Sequence, residues 1–194
     1  MQSGFYSMLL RMKYINRWGL MRNIQKESLS EHTLDVAVLA HALALLGNKR
    51  LSKNYDAGRA ALLALYHDAS EIITGDMPTP VKYHDERITN AYKQIEQEAS
   101  RTLLAMLPPD LREEYEALFL PRPGDEELWR LVKGADKLSA LIKCVEEEKS
   151  GNTEFVSARK ATRKAMEEMN LPELDLFMEE FFESFSKTLD EQSE

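Results

Sequence analysis

The pair His67-Asp68 stands directly after an apolar run, Leu62-Leu63-Ala64-Leu65-Tyr66. Such a run is expected to be buried, and a buried carboxylate needs a partner. A hydrogen-bonded structural pair is one answer. A divalent metal ion is another, because neutral imidazole and carboxylate together suit zinc, manganese, cobalt or iron. Neighbouring residues on a helix project about 100° apart, so any further ligands must come from other helices. Glu71 lies four residues after His67 and three after Asp68, which places it on the same helical face. Beside a metal-bound water, a carboxylate there would move protons; without a metal it reads as an exposed helical glutamate.

Other residues join this constellation. Asp136 stands at the border of an apolar helical face formed by Leu128, Leu131, Val132, Ala135, Leu138 and Ile142. Aspartate is a poor mid-helix residue, so either a ligand role or a salt bridge to Lys133 or Lys137 accounts for it. His32 falls in the first turn of its helix, where the dipole disfavours a charged imidazole and leaves a neutral, ligand-competent ring. His41, nine residues further on, faces the opposite way and reads as structural. His84 has no functional argument. Arg17-Trp18 sits at a helix break: the guanidinium suits a phosphate, and the indole suits a sugar or base. An arginine–carboxylate pair and a core tryptophan explain the same two residues. Cys144, between Ile142 and Val145, reads as a buried small hydrophobe. No P-loop, HExxH or GxSxG occurs.

These residues need elements to hold them. Apolar positions recur at helical spacing and no strand-like alternation is visible, which predicts an all-α fold. The expected helices are Phe5 to Tyr14; Ser28, as a capping-box N-cap with Glu31, to Leu46, with Gly47 as the stop; and Asp56 to Ile73, carrying the HD pair and Glu71. They continue with Asp85 to Leu107, Asp110 to Phe119, Glu126 to Lys149, Glu154 to Met169, and Glu173 to Leu189. Thr74 to Pro80 and Pro121 to Gly124 are expected loops. The run Glu146-Glu147-Glu148-Lys149 reads as a solvated helix end, and the acidic tail from Asp190 as frayed. There is no internal repeat or linker, so residues 1–194 are expected to form one helical domain with an ordered core of about 5–189.

Composition bounds what this domain can do. The 194 residues carry 33 acidic and 25 basic side chains, a formal net charge of −8, with one cysteine and four histidines. A chain of this length buries roughly 70% of its unfolded surface and needs no disulfide staples. A lone cysteine excludes a CxxC site and suits a reducing compartment. The negative balance argues against a nucleic-acid polymer as partner, although not against a small phosphate at one local site. The N-terminus lacks a basic start followed by an apolar run. The apolar-rich stretch Val36 to Leu46 is shorter than the ~20 residues of a membrane helix. A cytoplasmic protein with no membrane partner is expected.

His32, then His67-Asp68, then Asp136 reproduce the H…HD…D order of the HD-domain phosphohydrolase superfamily. The resemblance is closer still to the bacterial HD-domain 5′-deoxynucleotidase family. Ile15-Asn16-Arg17-Trp18, Leu20-Met21-Arg22-Asn23, Ser30-Glu31-His32, Tyr66 to Glu71, and Thr74-Gly75-Asp76-Met77-Pro78-Thr79-Pro80-Val81-Lys82-Tyr83 carry it, with Asn152-Thr153-Glu154-Phe155 beyond. The resemblance implies metal-dependent hydrolysis of deoxyribonucleoside 5′-monophosphates by an HD-type helical homodimer. It implies His32, His67, Asp68 and Asp136 as metal ligands, with Co2+, Mn2+ or Cu2+ as the ion and Zn2+ compatible by ligand type. It implies Glu71 as the catalytic carboxylate and Arg17 as the phosphate-orienting group. Trp18, His32, Asp68, Asp136 and the segment Asp76, Met77, Pro78 and Thr79 are the implied substrate contacts. Competing readings are another HD phosphohydrolase acting on alarmones, cyclic nucleotides or nucleoside triphosphates, and a non-catalytic helical nucleotide-binding module. No GYP-bearing extension follows the HD pair, which argues against the cyclic-dinucleotide group, and few basic residues surround the site for a triphosphate.

Overall fold

The computed structural model describes residues 2–82 and 84–193; Tyr83 lies outside them. The described residues are all-helical, with one isolated antiparallel bridge between Asn16 and Ser28. In chain order the helices are α1 (Phe5–Leu9), α2 (Leu29–Arg50), α3 (Ala57–Tyr66), α4 (Glu71–Thr74), α5 (Thr79–Lys82), α6 (Glu86–Ala105), α7 (Pro109–Phe119), α8 (Glu126–Lys149), α9 (Val156–Glu168) and α10 (Pro172–Glu180). Helix α2 is the centre: α3, α8 and α10 pack on it, and α9 packs on α8. Phe5, Val36, Leu43, Leu63, Leu103, Leu131 and Leu138 are fully or nearly fully buried in one continuous core. Helix α2 is long and apolar enough to cross a bilayer by length and composition, but about half of that stretch is buried inside the protein.

Local chemistry explains most boundaries. The predicted capping box forms in both directions: the Glu31 amide donates to Ser28 Oγ at 3.3 Å, and the Ser28 amide donates to Glu31 Oε2 at 2.7 Å. Asp56 and Asp85 cap α3 and α6 through their side chains. Helix α8 begins and ends as the sequence predicts. Arg59 forms a two-pronged bridge to Asp125 and so ties α3 to the start of α8.

Several boundaries differ from expectation. Gly47 does not stop α2, which runs on to Arg50. The glycine is there because a Cβ would lie 2.6 Å from the Tyr55 ring. The expected helix through Ile73 ends at Tyr66, because His67 Nδ1 bonds the Ala64 carbonyl at 2.7 Å, an acceptor that a continuing helix would use. The HD pair therefore occupies a turn, and Glu71 opens the separate helix α4. Thr79 to Lys82 form a helical turn, since proline is tolerated at a helix start. The first helix tightens to a 3₁₀ turn over Leu10–Tyr14, and the last helix ends at Glu180, followed by a 3₁₀ turn over Phe182–Ser186. The acidic tail is not wholly frayed: Asp190–Ser193 form another 3₁₀ turn.

The largest correction concerns Glu147, which is 2% exposed and not part of a solvated helix end. It accepts from the amides of Ile24 and Gln25 at 2.9 and 3.1 Å, from Lys143 Nζ at 2.6 Å and from Asn152 Nδ2 at 2.8 Å. This clamp fixes the segment between the 3₁₀ turn and α2, which carries Arg17 and Trp18.

Candidate active site

Three elements deliver the implied ligands. The first turn of α2 carries His32, the turn after α3 carries His67 and Asp68, and the middle of α8 carries Asp136. His32 is fully buried, with Nδ1 3.2 Å from Ser139 Oγ. Its Nε2 lies 3.2 Å from Asp136 Oδ1 and 3.6 Å from Asp68 Oδ2. His67 Nε2 lies 3.1 Å from Asp68 Oδ2. Because the Ala64 carbonyl can only accept, His67 Nδ1 carries a proton and Nε2 is the ring nitrogen turned to Asp68. Burial lowers this imidazole's pKa, but the charges of Asp68 and Asp136 outweigh it and raise the value.

Both Nε2 atoms are buried and make no aligned hydrogen bond. Donor atoms of His32, His67 and Asp68 all lie within 4.8 Å of one another. Ligands about 2.1 Å from one ion stand roughly 3.0–3.4 Å apart at tetrahedral or octahedral angles, which is close to these separations. The residues present thus fit a divalent cation. Asp136 lies outside the tight three-residue group but touches it through His32, and its Oδ2 is 3.3 Å from Lys137 Nζ. The salt bridge expected for Asp136 is thus present, to Lys137, and its other oxygen faces His32 Nε2.

The electrostatics match this arrangement. Burial, then the Arg17 charge, lowers His32 to about 4, so its imidazole is neutral at pH 7. Burial opposes ionisation of Asp68, but His67 and His32 outweigh it and hold the carboxyl at about 2. Asp136 is likewise buried, and its His32 contact together with Lys137 and Arg17 holds it well below the usual carboxylate range. Glu71 goes the other way. Burial, then the charges of Asp68 and Asp76, pushes it up to about 9 against the pull of Lys82 and Arg17. It is 4% exposed, and its Oε2 has no hydrogen-bond partner. This shift favours the protonated acid at neutral pH.

These groups border a cavity of about 600 Å3. Arg17, Asp68, Glu71 and Asp136 line one part; Trp18 and Asp76 to Thr79 line the next; Ala158, Ala161, Thr162 and Ala165 of α9 close the far side. His32 and His67 are not among the lining side chains. The structure therefore gathers every sequence-derived site residue within or directly beneath one cavity. His41 and His84 are both exposed, away from this cluster.

Trp18 is held in an unusual backbone state, with φ of +59°. A bulky residue in the left-handed region costs on the order of 1–3 kcal/mol and persists only when its surroundings fix it. Its amide donates to Asp76 Oδ2 at 3.2 Å and its indole Nε1 donates to Glu27 Oε2 at 2.7 Å. Its carbonyl accepts from Asn23 Nδ2 at 3.3 Å, and its ring packs on Phe155. The link to Asp76 joins the Arg17-Trp18 segment to the loop that turns at Gly75, whose φ of +74° favours glycine. Sequence reasoning did not single out Glu27. A glutamate one residue before a capping serine reads as surface charge, and nothing local marks it as buried.

The family model for YfbR-like 5′-deoxynucleotidases matches residues 4–185. The chain belongs to this family. It is 49% identical over 191 residues to a 5′-deoxynucleotidase of Yersinia pestis (strain Pestoides F), covering 98% of this chain and 97% of that one. A Yersinia pseudotuberculosis serotype O:3 (strain YPIII) 5′-deoxynucleotidase matches to the same extent. Among solved structures, an HD-domain phosphohydrolase of Listeria innocua superposes with a TM-score of 0.81 at 19% identity, over 97% of this chain and 91% of that one. The cyanophage S-2L HD phosphohydrolase DatZ, bound to dA and one catalytic Zn2+ ion, superposes with a TM-score of 0.66 at 23% identity, over 94% and 96% of the two chains. These two likenesses establish the HD-type helical fold.

Proposed function

We propose that the protein hydrolyses deoxyribonucleoside 5′-monophosphates to deoxynucleosides and phosphate in a metal-dependent reaction. The family membership and the relatives' shared activity support the reaction class. The observation that supports the mechanism is the pair of buried imidazole nitrogens facing Asp68 and Asp136 without an aligned hydrogen bond, at the edge of a cavity that also holds Arg17 and the buried Glu71.

Phosphomonoester hydrolysis is among the slowest uncatalysed reactions, so charge on the phosphoryl oxygens must be neutralised. His32, His67, Asp68 and Asp136 would hold one divalent ion, with Co2+, Mn2+ or Cu2+ favoured and Zn2+ compatible. When bound it supplies Lewis-acid charge neutralisation and a more acidic water. Arg17, with Nη1 3.6 Å from Asp68 Oδ2, reaches the same edge and binds the remaining phosphate oxygens by paired hydrogen bonds. Glu71 donates its proton to the departing 5′ oxygen. Lys82, 2.8 Å from Glu96 and 3.9 Å from Glu71 Oε1, keeps that corner of the cavity from becoming wholly anionic. Trp18 and the Asp76–Thr79 segment read the deoxyribose: with one Asp76 oxygen engaged by the Trp18 amide, the other faces a sugar hydroxyl. A 2′-hydroxyl would meet crowding or an unmatched polar group.

The functional unit is a homodimer of single-domain chains spanning 1–194. The outer face of α2 supports this, since Leu34, Val38 and Leu45 are 58%, 62% and 41% exposed in one helical stripe. A cytoplasmic location fits the single buried free cysteine.

The decisive assay measures phosphate release from deoxy- and ribonucleoside 5′-monophosphates, before and after chelation and with Co2+, Mn2+ or Zn2+ restored. Release from the deoxy substrates that is lost on chelation and regained with metal is expected. Asp68→Ala is expected to bind less than one ion per chain by elemental analysis and to lose turnover. Phosphate release at the parent rate after chelation overturns the reading.

A further inference from the structure

Glu27 is 9% exposed and lies beneath the two residues assigned to phosphate and sugar. Its Oε2 accepts from Trp18 Nε1 at 2.7 Å and lies 3.4 Å from Arg17 Nε. Its Oε1 is 3.7 Å from His32 Nδ1. Its backbone carbonyl accepts from the Arg17 amide at 2.9 Å, closing the ring of chain between the 3₁₀ turn and α2. One carboxylate thus reaches the indole, the guanidinium and the underside of the metal cluster.

We infer that Glu27 is a positioning residue that holds Arg17 and Trp18 as one rigid unit, so that phosphate binding and sugar discrimination share a single anchor. The inference rests on the proposed roles of those two residues. Arg17 has three other acidic neighbours, Asp136, Asp68 and Asp76, all bordering the cavity. Glu27 is the one acidic neighbour of Arg17 that does not line it, so it draws the guanidinium back from the Asp68 edge. With its charge removed, Arg17 is pulled toward Asp68 and Asp136 and away from the incoming phosphate. Trp18 has a second dependence on Glu27. Its left-handed backbone must be held from outside, and the indole bond to Glu27 is one of the contacts that fix it. Loss of that bond lets the ring leave the sugar-facing wall while the metal ligands stay in place. A displacement of about 1 Å in a positioning group costs on the order of 100-fold in rate.

Two substitutions separate the two arms. Glutamine at position 27 can still accept from the indole but carries no charge to face Arg17. Glu27→Gln is therefore expected to keep the deoxy-over-ribo preference within about twofold of the parent. It is expected to lose about tenfold or more in kcat/KM and to bind inorganic phosphate correspondingly more weakly. Glu27→Ala is expected to lose both the phosphate arm and the discrimination. Combining Glu27→Gln with Arg17→Ala should cost no more than Arg17→Ala alone, and combining Glu27→Ala with Trp18→Phe should narrow discrimination no further than Trp18→Phe alone. A purely structural role would lower the melting temperature and both activities together, with additive losses; that outcome, or parent-like kinetics in both Glu27 variants, overturns the inference. Should Glu27→Ala fail to fold, the glutamine variant and its cycle with Arg17→Ala still decide the matter. If Arg17→Ala and Trp18→Phe are themselves parent-like, it is the assignment of the site that fails.

Discussion

The chemistry proposed for Glu71 comes at the expense of the fold. In an unfolded chain its carboxyl titrates near its ordinary 4.5, whereas in the folded protein it is pushed up to about 9. Between those values the folded state holds a proton that the unfolded state has lost, so stability must fall as pH rises across the window. Glu71→Gln keeps the shape, cannot transfer the proton and has nothing to titrate. The variant is expected to lose on the order of 10²- to 10⁴-fold in turnover. Thermal melts of the metal-free protein are expected to show it more stable than the parent at pH 8 and nearly equal near pH 4.5. Equal pH slopes for the two proteins would falsify the protonated-acid role. This residue was legible in the sequence by its spacing from His67 and Asp68, but its protonation was not. That depends on burial and on Asp76, which reaches it through a loop.

At the scale of elements, the sequence pattern located helices well and misjudged how some of them end. Gly47 looks like a helix stop in a one-dimensional reading, because glycine is enriched there. The structure uses it for closeness instead: Tyr55, anchored by a 3.0 Å bond from its hydroxyl to Glu173, presses its ring where a Cβ would stand. Two effects compete in Gly47→Ala. Helix propensity favours alanine by about 1 kcal/mol, while overpacking against a ring that cannot swing away costs about 1–3 kcal/mol. The clash is 2.6 Å and the ring is tethered, so net destabilisation is expected, measured as a lower urea midpoint with an unchanged m-value. Relief of the tether offers a control, because Tyr55→Phe frees the ring and should shrink the penalty. Glu147 makes the same point for charge. Three glutamates in a row read as a wet helix end, yet the middle one is turned inward to cap the amides of Ile24 and Gln25.

The whole molecule brings a local cluster of charge and an exposed apolar stripe. A net charge of −8 speaks against a phosphate-rich partner, yet four of the negative groups, Glu27, Asp68, Asp76 and Asp136, act on one largely buried cation, Arg17. A divalent ion at the histidine pair would offset two of those negative charges and, with Arg17, offer a small phosphate a local pair of cations. The surface proposed for the homodimer is the exposed α2 stripe of Leu34, Val38 and Leu45, on the opposite side of the helix that carries His32 inward. Val38→Glu is expected to shift the protein from dimer to monomer in light scattering at micromolar concentration while its helical circular dichroism is retained. An unchanged mass would remove α2 from the interface.

From the sequence came the all-α class, by helical period, and the spacing that sets Glu71 beside His67 and Asp68. The grouping of His32, His67, Asp68 and Asp136 with Arg17 came from the resemblance to the HD-domain family, since residue type alone left salt bridges as equal explanations of Asp136 and Arg17. The tertiary structure alone decided that the HD pair sits on a turn, that burial pushes the Glu71 carboxyl upward, and that Trp18 is held strained. It also decided that Glu27 and Glu147 are buried. Except for the turn at the HD pair, these depend on neighbours far away in the chain: Asp76 on Trp18, Ile24 and Gln25 on Glu147, the α9 alanines on the cavity. Burial and electric field are sums over such neighbours, and a periodic pattern read along one strand of sequence does not contain them.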